Sequence, residues 1–310
     1  MNHGDSNNMS AFMIWSEFSG LSIPESLEVL QIRGEYPEPE IRSQITFYVP
    51  PYMAGSRALE PISQMTSLQV IQSPNAGVDE LLAILPAGVT LCNAQGVHDA
   101  STSELAIGLA ITARRGFATF MSSQYQGVWE HTRHSALADS RVGIVGMGSI
   151  GSLIAKQLQT FNVEVIGFTR TGRNSTLTMA DFDELLPTLD VVILILPLTK
   201  QSHHLMNRTR IEAMKNGATL VNVARGAVVD TDALVDALNQ GRITAGLDVT
   251  DPEPLPQGHP LWSAPNVIIT PHVGGDSSAF NPRVRALIES QLERFAHGEP
   301  LINIVAGPLR

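Results

Sequence analysis

The strongest constraint on this chain is the stretch from Arg141 to Gly151, RVGIVGMGSIG. A short β-branched run leads without a spacer into G-x-G-x-x-G, and helical periodicity follows at once. Strand, glycine turn and helix in that order leave few folds open. Gly146 permits the tight turn after the strand. Gly148 has no Cβ, so an anion can approach the backbone, and Gly151 lets the helix pack close to the strand. The first helical turn then offers unpaired N–H groups and the positive end of a dipole, which suits a pyrophosphate. Gly146, Met147, Gly148, Ser149, Ile150 and Gly151 are therefore expected to cradle a dinucleotide.

From this point short apolar runs alternate with helical segments. Strands are expected at 141–145, 163–168, 190–196, 219–223, 243–247 and 267–270, with helices near 150–160, 180–186, 208–214 and 231–239. Runs such as VVILIL at 191–196 are apolar without alternation, which means burial on both faces of a parallel, doubly wound sheet. The first hundred residues describe a smaller α/β unit. Its strands are expected at 11–17, 45–49, 68–72 and 89–92, its helices at 26–32 and 79–85, with the prolines in 36–40 breaking the chain. One long alanine-rich helix is expected over 101–125, opened by Ser101 and Glu104 at capping-box spacing. It is too apolar to be exposed all round and is expected to pack on another domain or subunit. A closing helix at 281–297 returns to the first unit. The smaller domain is thus expected to be discontinuous, 1–98 with 276–310, and the nucleotide domain, 99–275, to be inserted into it, with crossings near 95–100 and 274–278.

A length of 310 residues suits two such domains. The net charge of −10 argues against a nucleic-acid partner, which needs a basic face. The single cysteine, Cys92, excludes an internal disulfide and a thiolate zinc site and points to a reducing compartment, the cytoplasm. No apolar run reaches bilayer length, so no membrane association is expected. The opening MNHGDSNNMS lacks a signal-peptide pattern and reads as a frayed start, with Met9 an alternative initiator.

Three further segments each follow an expected strand, at the sheet edge where open α/β folds bind ligands: VNVARG at 221–226, GLDVTDPEP at 246–254 and TPHVGG at 270–275. They bring an arginine, a carboxylate and a histidine to one edge. Those types suit reduction of a 2-keto acid. Arg225 offers a planar fork for a carboxylate and polarises the neighbouring carbonyl. His272 can give a proton to the oxygen as hydride reaches the carbon. Glu253 would hold His272 in orientation and stabilise its cationic form. A metal held by His272 with Asp248 or Glu253 lacks supporting spacing, and adjacent His203 and His204 point apart too easily to form a metal site. Trp129, His131 and His134 receive no role, and Tyr52 and Met53 are placed where they could face a substrate.

GMGSIG at 146–151, LPLT at 196–199, VNVARG, LDVTDPEP at 247–254, TPHVGG and SPNAGVDEL at 73–81 together resemble the D-isomer-specific 2-hydroxyacid dehydrogenases, among them glyoxylate/hydroxypyruvate reductases and phosphoglycerate dehydrogenases. The resemblance runs over nearly the whole chain. It implies a Rossmann-type domain inserted into a flavodoxin-like α/β substrate domain. It implies Arg225 as substrate ligand, His272 as acid/base and Glu253 as its partner. Asp248 would lie beside the nicotinamide, with Pro197 and Val223 also on the cofactor. Ala76 and Gly77 would hold the substrate carboxylate by their N–H groups, and a homodimer would form through 101–125.

One departure bears on the cofactor. NAD-specific members usually carry an acidic residue at the end of the second nucleotide-domain strand, where this chain reads GFTRTGR at 167–173. Thr169, Arg170 and Arg173 instead suit the extra phosphate of NADP(H), with NAD(H) still usable. The expectation is an NADPH-preferring reductase of a small 2-keto acid of the glyoxylate or hydroxypyruvate type, giving the D-2-hydroxy acid. A same-fold dehydrogenase of another donor, or a non-catalytic nucleotide sensor, are the alternatives.

Overall fold

A computed structural model describes residues 12–31, 37–53, 55, 59–173 and 175–308. Met9 and the outer residues Ala11, Ile32 and Tyr36 of expected segments lie outside them. The chain divides into two compact units, 1–97 with 279–310 and 98–278.

The first unit opens with β1 (Phe12–Ser16), β2 (Leu27–Gln31), α1 (Pro39–Arg42), β3 (Ile45–Val49), β4 (Val70–Gln72), α2 (Asp79–Ile84) and β5 (Thr90–Cys92). The second contains α3 (Asp99–Arg114), α4 (Phe117–Tyr125), β6 (Arg141–Val145), α5 (Ser149–Leu158), β7 (Glu164–Phe168), α6 (Met179–Leu185) and β8 (Val191–Leu194). It continues through α7 (Arg208–Ala213), β9 (Thr219–Asn222), α8 (Thr231–Asn239), β10 (Thr244–Leu247) and β11 (Val267–Ile269). The chain then re-enters the first unit with α9 (Phe280–His297) and β12 (Ile304–Ala306).

The first sheet runs β2-β1-β3-β4-β5-β12, parallel except that β12 is antiparallel to β5. Its inner strands β1, β3, β4 and β5 are mostly buried because both sides are covered. Ile14 and Phe47 pack with Val284, Ile288 and Leu292 of α9, while their neighbours Trp15 and Tyr48 face the other way with Ile71 and Leu91. Each such side chain contributes roughly 1.5–3 kcal/mol on burial.

The second sheet runs β7-β6-β8-β9-β10-β11 and is parallel throughout. In β8, Val191 and Ile193 pack with Leu109 of α3 and Ile154 of α5, and Val192 and Leu194 face Phe182 and Leu234 on the opposite side. The chain enters at β6, steps to β7, then reverses to β8 on the other flank. That reversal opens a crevice beyond the C-terminal ends of β6 and β8.

Several expected elements differ. Residues 27–31 form the strand β2, not a helix, because pairing along the full length of β1 overrides the Leu/Glu helix preference. Pro39 does not break the chain but starts α1, since a proline at the first helical position loses no intrahelical bond. The long helix is two helices. Gly116 takes φ +67° between them, and a Cβ there would stand 2.3 Å from the His134 ring. Nor do Ser101 and Glu104 cap α3. The helix begins at Asp99 with His98 before it, and the Ser101 hydroxyl donates to the His98 carbonyl at 3.3 Å. A true capping box stands at Thr178 and Asp181, before α6.

Candidate active site

The glycine turn answers to sterics at each position. Gly146 takes φ +106°, and a Cβ on it would lie 1.9 Å from the Ile195 carbonyl oxygen. A Cβ on Gly151 would lie 2.0 Å from the Gly146 carbonyl oxygen. At Gly148, by contrast, nothing stands within 4 Å of where a Cβ would be. Gly148 precedes the first turn of α5 and no side chain caps that turn, so its N–H groups face open space. A cradle with free donors beside an unfilled position fits a pyrophosphate. Ser149 uses its hydroxyl on Asp99, at 3.2 Å. Met147 lies over Gly167 of β7, where a Cβ would meet its sulfur at 2.9 Å and push that flexible side chain aside.

Beyond β7 the chain folds back on itself. Thr169 N–H donates to the Leu177 carbonyl at 2.9 Å. Its hydroxyl lies 2.7 Å from that of Thr176 and accepts the Gly172 N–H at 3.1 Å. The Thr176 hydroxyl donates to the Arg173 carbonyl, so the Thr169 proton goes to Thr176. Thr169 therefore shapes the turn, and the cationic donors of this loop are Arg170 and Arg173, both exposed.

Arg225, Glu253 and His272 follow β9, β10 and β11 in turn. Asn222, buried at the end of β9, accepts the Ala224 N–H at 3.1 Å and donates to the Arg225 carbonyl at 2.9 Å, which holds the backbone of Arg225. A Cβ on Gly226 would lie 1.9 Å from the Thr250 carbonyl oxygen, so the two loops touch backbone to backbone. Thr231 ties them again by donating to the Asp251 carbonyl at 2.9 Å. Glu253 Oε1 stands 2.5 Å from His272 Nδ1, and its Oε2 accepts the Thr250 N–H at 3.4 Å. Burial alone would raise the Glu253 carboxyl. The His272 hydrogen bond and charge, the Thr250 N–H and the Arg225 charge outweigh it and hold the group below the ordinary carboxylate value. With a carboxylate on Nδ1, that nitrogen carries a proton and Nε2 is left for other work.

Asp248 organises the third loop. It is 3% exposed, and its carboxylate accepts three bonds: the Thr270 hydroxyl at 2.6 Å, the Val273 N–H at 2.9 Å and the Gly274 N–H at 2.8 Å. Its carbonyl takes the His272 N–H at 2.8 Å. These bonds enclose His272, which adopts φ +55°, a left-handed conformation costly for a side chain with a Cβ. From sequence, Asn222 and Thr270 stood only as members of their motifs, and Gly274 as the start of the crossing at 274–278. Asn222 alone carried a local signal, an asparagine two residues before the N–H it binds.

The remaining sequence-derived residues divide between the units. Pro197 lies past β8, its carbonyl accepting the Ser202 hydroxyl at 2.7 Å, and Val223 is buried past β9. Ala76 and Gly77 belong to the first unit, in the loop between β4 and α2. Tyr52, also in that unit, packs its ring on Phe280 at a 32° tilt with centroids 4.1 Å apart, and Met53 is exposed. His203 and His204 stack on each other, and His134 covers Gly116. Among the described residues no group of three His, Cys, Asp or Glu is placed to hold a metal ion, and no helix is long and apolar enough to cross a membrane.

Residues 107–274 match the family described as D-isomer specific 2-hydroxyacid dehydrogenase, NAD binding domain. A glyoxylate reductase of Thermofilum pendens is 32% identical over 255 residues, which cover 77% of this chain and 75% of that protein. A D-3-phosphoglycerate dehydrogenase of Methanocaldococcus jannaschii is 31% identical, over 80% of this chain and 49% of the relative. The crystal structure of a D-isomer specific 2-hydroxyacid dehydrogenase from Xanthobacter autotrophicus, in complex with NADPH and MES, superposes with a TM-score of 0.77 at 28% identity, covering 96% of this chain and 98% of that one. The chain belongs to the D-isomer specific 2-hydroxyacid dehydrogenases.

Proposed function

We propose that this protein reduces a small 2-keto acid of the glyoxylate or hydroxypyruvate type to the D-2-hydroxy acid, with NADPH preferred over NADH. The observation that carries the reading is the Glu253–His272 pair, 2.5 Å apart, with Arg225 close enough to act on the same carboxylate electrostatically. A nucleotide sensor has no need of those three groups together. The glyoxylate reductase among the relatives supports the substrate class, and the NADPH-bound structure of a 28% identical member supports the cofactor.

When bound, the reduced nicotinamide supplies the hydride. Arg225 holds the substrate carboxylate in its planar fork and draws electron density from the adjacent carbonyl oxygen. In the first unit, the N–H groups of Ala76 and Gly77 are assigned to a substrate carboxylate. His272 delivers a proton from Nε2 to the carbonyl oxygen as it becomes an alkoxide. Glu253 fixes the ring through Nδ1 and balances its charge. Gly146 to Gly151 receive the pyrophosphate, Pro197, Val223 and Asp248 line the cofactor, and Arg170 and Arg173 favour the phosphate of NADPH.

We further propose a cytoplasmic homodimer. Phe117, Met121 and Tyr125 form an exposed stripe at four-residue spacing on α4, and Tyr125 is 85% and Trp129 96% exposed. Apolar groups so placed call for cover. The test of function is loss of NADPH absorbance with a panel of 2-keto acids. Rapid oxidation with glyoxylate or hydroxypyruvate is expected. NADPH binding with no turnover on any keto acid would replace the reading with nucleotide sensing. Sedimentation of the parent and of Tyr125→Glu tests the dimer.

A further inference from the structure

In the first unit, residues 73–77 form a loop whose carbonyls are gripped from one side. The Ser73 carbonyl accepts from Gln72 Nε2 at 2.9 Å, that of Asn75 from the Ala94 N–H at 3.0 Å, and that of Ala76 from Asn93 Nδ2 at 2.8 Å. Asn93 and Ala94 are consecutive, so the last two carbonyls face one strip of chain just beyond β5. A trans peptide is planar, and its N–H points opposite to its C=O. The Ala76 N–H shares a peptide with the Asn75 carbonyl, and the Gly77 N–H shares one with the Ala76 carbonyl. Both donors are therefore turned away from Asn93 and Ala94, side by side. No acceptor among the described residues takes either of them. Successive N–H groups on one side of a loop make a concave anion-binding feature.

Asn93 is itself held. Its Oδ1 accepts the Gln95 N–H at 3.2 Å, its backbone N–H donates to the Asn303 carbonyl at 3.0 Å, and its carbonyl accepts from Gln72 Nε2 at 3.1 Å. Gln72 is fully buried, and its Oε1 accepts from the equally buried Gln291 at 2.7 Å. This chain of amides leaves Asn93 one orientation.

We propose that Asn93 is a positioning residue: its bond to the Ala76 carbonyl sets the peptide plane that presents the Gly77 N–H to the substrate carboxylate, beside the Ala76 N–H that the Ala94 bond orients. The inference rests on the reading of this protein as a 2-keto acid reductase and adds to it the residue that shapes the carboxylate cradle. The carboxylate is bound alike in ground and transition state, so loss of the cradle raises KM and leaves kcat near that of the parent.

Asn93→Ala removes the donor. Asn93→Ser retains a hydroxyl for the Gln95 N–H but is too short to reach the Ala76 carbonyl, and it carries the same expectation should the alanine variant not fold. Ile71→Val, in the strand that feeds the loop, is the control for lost stability alone. KM for glyoxylate should rise roughly ten- to hundredfold in the Asn93 variants, the factor for one lost charge-assisted bond. Ile71→Val should lower Tm and leave KM alone. An unchanged KM in the Asn93 variants, or an equal rise in Ile71→Val at matched Tm, overturns the role. Turnover by the parent tests the reaction itself. Calorimetric binding of oxalate to the NADPH complex tests Asn93 separately, because it needs no turnover: equal affinity in parent and variant sinks the positioning role even if the parent reduces no keto acid.

Discussion

Two loops at the same edge of the second sheet are held in opposite ways. The loop that carries His272 is anchored from beneath by Asp248, whose carboxylate takes three donors and whose carbonyl takes the His272 N–H. The loop after β7 closes on itself through the Thr169 and Thr176 hydroxyls and leaves Arg170 and Arg173 exposed. Position is what the first loop supplies, and charge is what the second supplies. Substitutions in the first should therefore act through geometry and chemistry, and those in the second through the choice between two cofactors.

The largest effects should fall on the first loop and its partners. His272→Ala removes the proton donor, and kcat should fall about 10²–10⁴-fold with NADPH affinity nearly unchanged. Arg225→Lys keeps the charge but loses the planar fork, so it should recover little of the activity lost in Arg225→Ala. Near-parental kcat/KM in the lysine variant would dismiss the clamp. NADPH affinity by fluorescence titration separates both from cofactor effects.

The anchor comes next. Asp248→Ala strands two N–H donors and a hydroxyl in a buried setting and releases a backbone held at positive φ. Stability should fall by about 3 kcal/mol or more, and kcat with it. Thr169→Ala, the matching change in the self-closed loop, should cost about 1 kcal/mol and leave kcat alone. Comparable losses of kcat in the two variants would erase the contrast.

The glycine turn was legible because its three glycines stand at fixed spacing between an apolar run and a helix, although the carbonyl that crowds Gly146 comes from Ile195. Gly146 and Gly151 are constrained by carbonyls of the same β–turn–α unit and its neighbouring strand. The strands of the second sheet were legible because burial on both faces writes an unbroken apolar run. Most of what escaped was set by partners distant in sequence. The break after α3 did carry a local sign, Arg114 and Arg115 ahead of a left-handed Gly116, but the apolar residues on both sides of it masked the stop, and the His134 ring that crowds Gly116 lies 18 residues on. β2 is a strand because β1 pairs with it. Asp248 could be placed at a strand end from sequence, but its grip on residues 22 to 26 positions later could not be read. The bond between the Thr169 and Thr176 hydroxyls is another contact that no spacing in the sequence marks.

Cofactor choice should respond more gently. A bond from one guanidinium to the phosphate of NADPH contributes roughly 1.5–3 kcal/mol when well aligned, and less where water screens it. Arg170 and Arg173 are exposed, so Arg170→Ala should narrow the preference for NADPH by about tenfold. Thr169→Asp combined with Arg170→Ala should reverse it by setting a carboxylate against the phosphate. The measurement is kcat/KM for both cofactors at fixed keto acid. A parent that uses NADH equally well would mean that the arginines do no more than solvate the loop.

The smallest effect should appear at the far end of the same sheet, where charge is used for structure. Asp190 precedes β8 and accepts the Arg141 N–H at 2.9 Å and Lys215 Nζ at 2.7 Å. Burial alone would raise its carboxyl. The Lys215 bond, the Arg141 N–H and the charges of Lys215 and Arg114 outweigh that and hold it below the ordinary aspartate value of 3.8. A carboxyl depressed in the folded state binds its proton less readily there than in the unfolded chain. Its stabilisation is therefore complete above the unfolded value and is lost as pH falls through and below 3.8 toward the folded value. Asp190→Asn should cost about 1 kcal/mol near neutral pH, the upper end for a pair partly open to water, and the difference from the parent should shrink below about pH 4. Thermal unfolding at several pH values reads this directly. Because Asp190 touches none of the loops at the ligand edge, kcat/KM and the NADPH-to-NADH ratio should stay at the parent's values. A cofactor ratio that moved with Asp190 would mean that charge at one end of the sheet reaches the other, and the division between positioned and charged loops would fail.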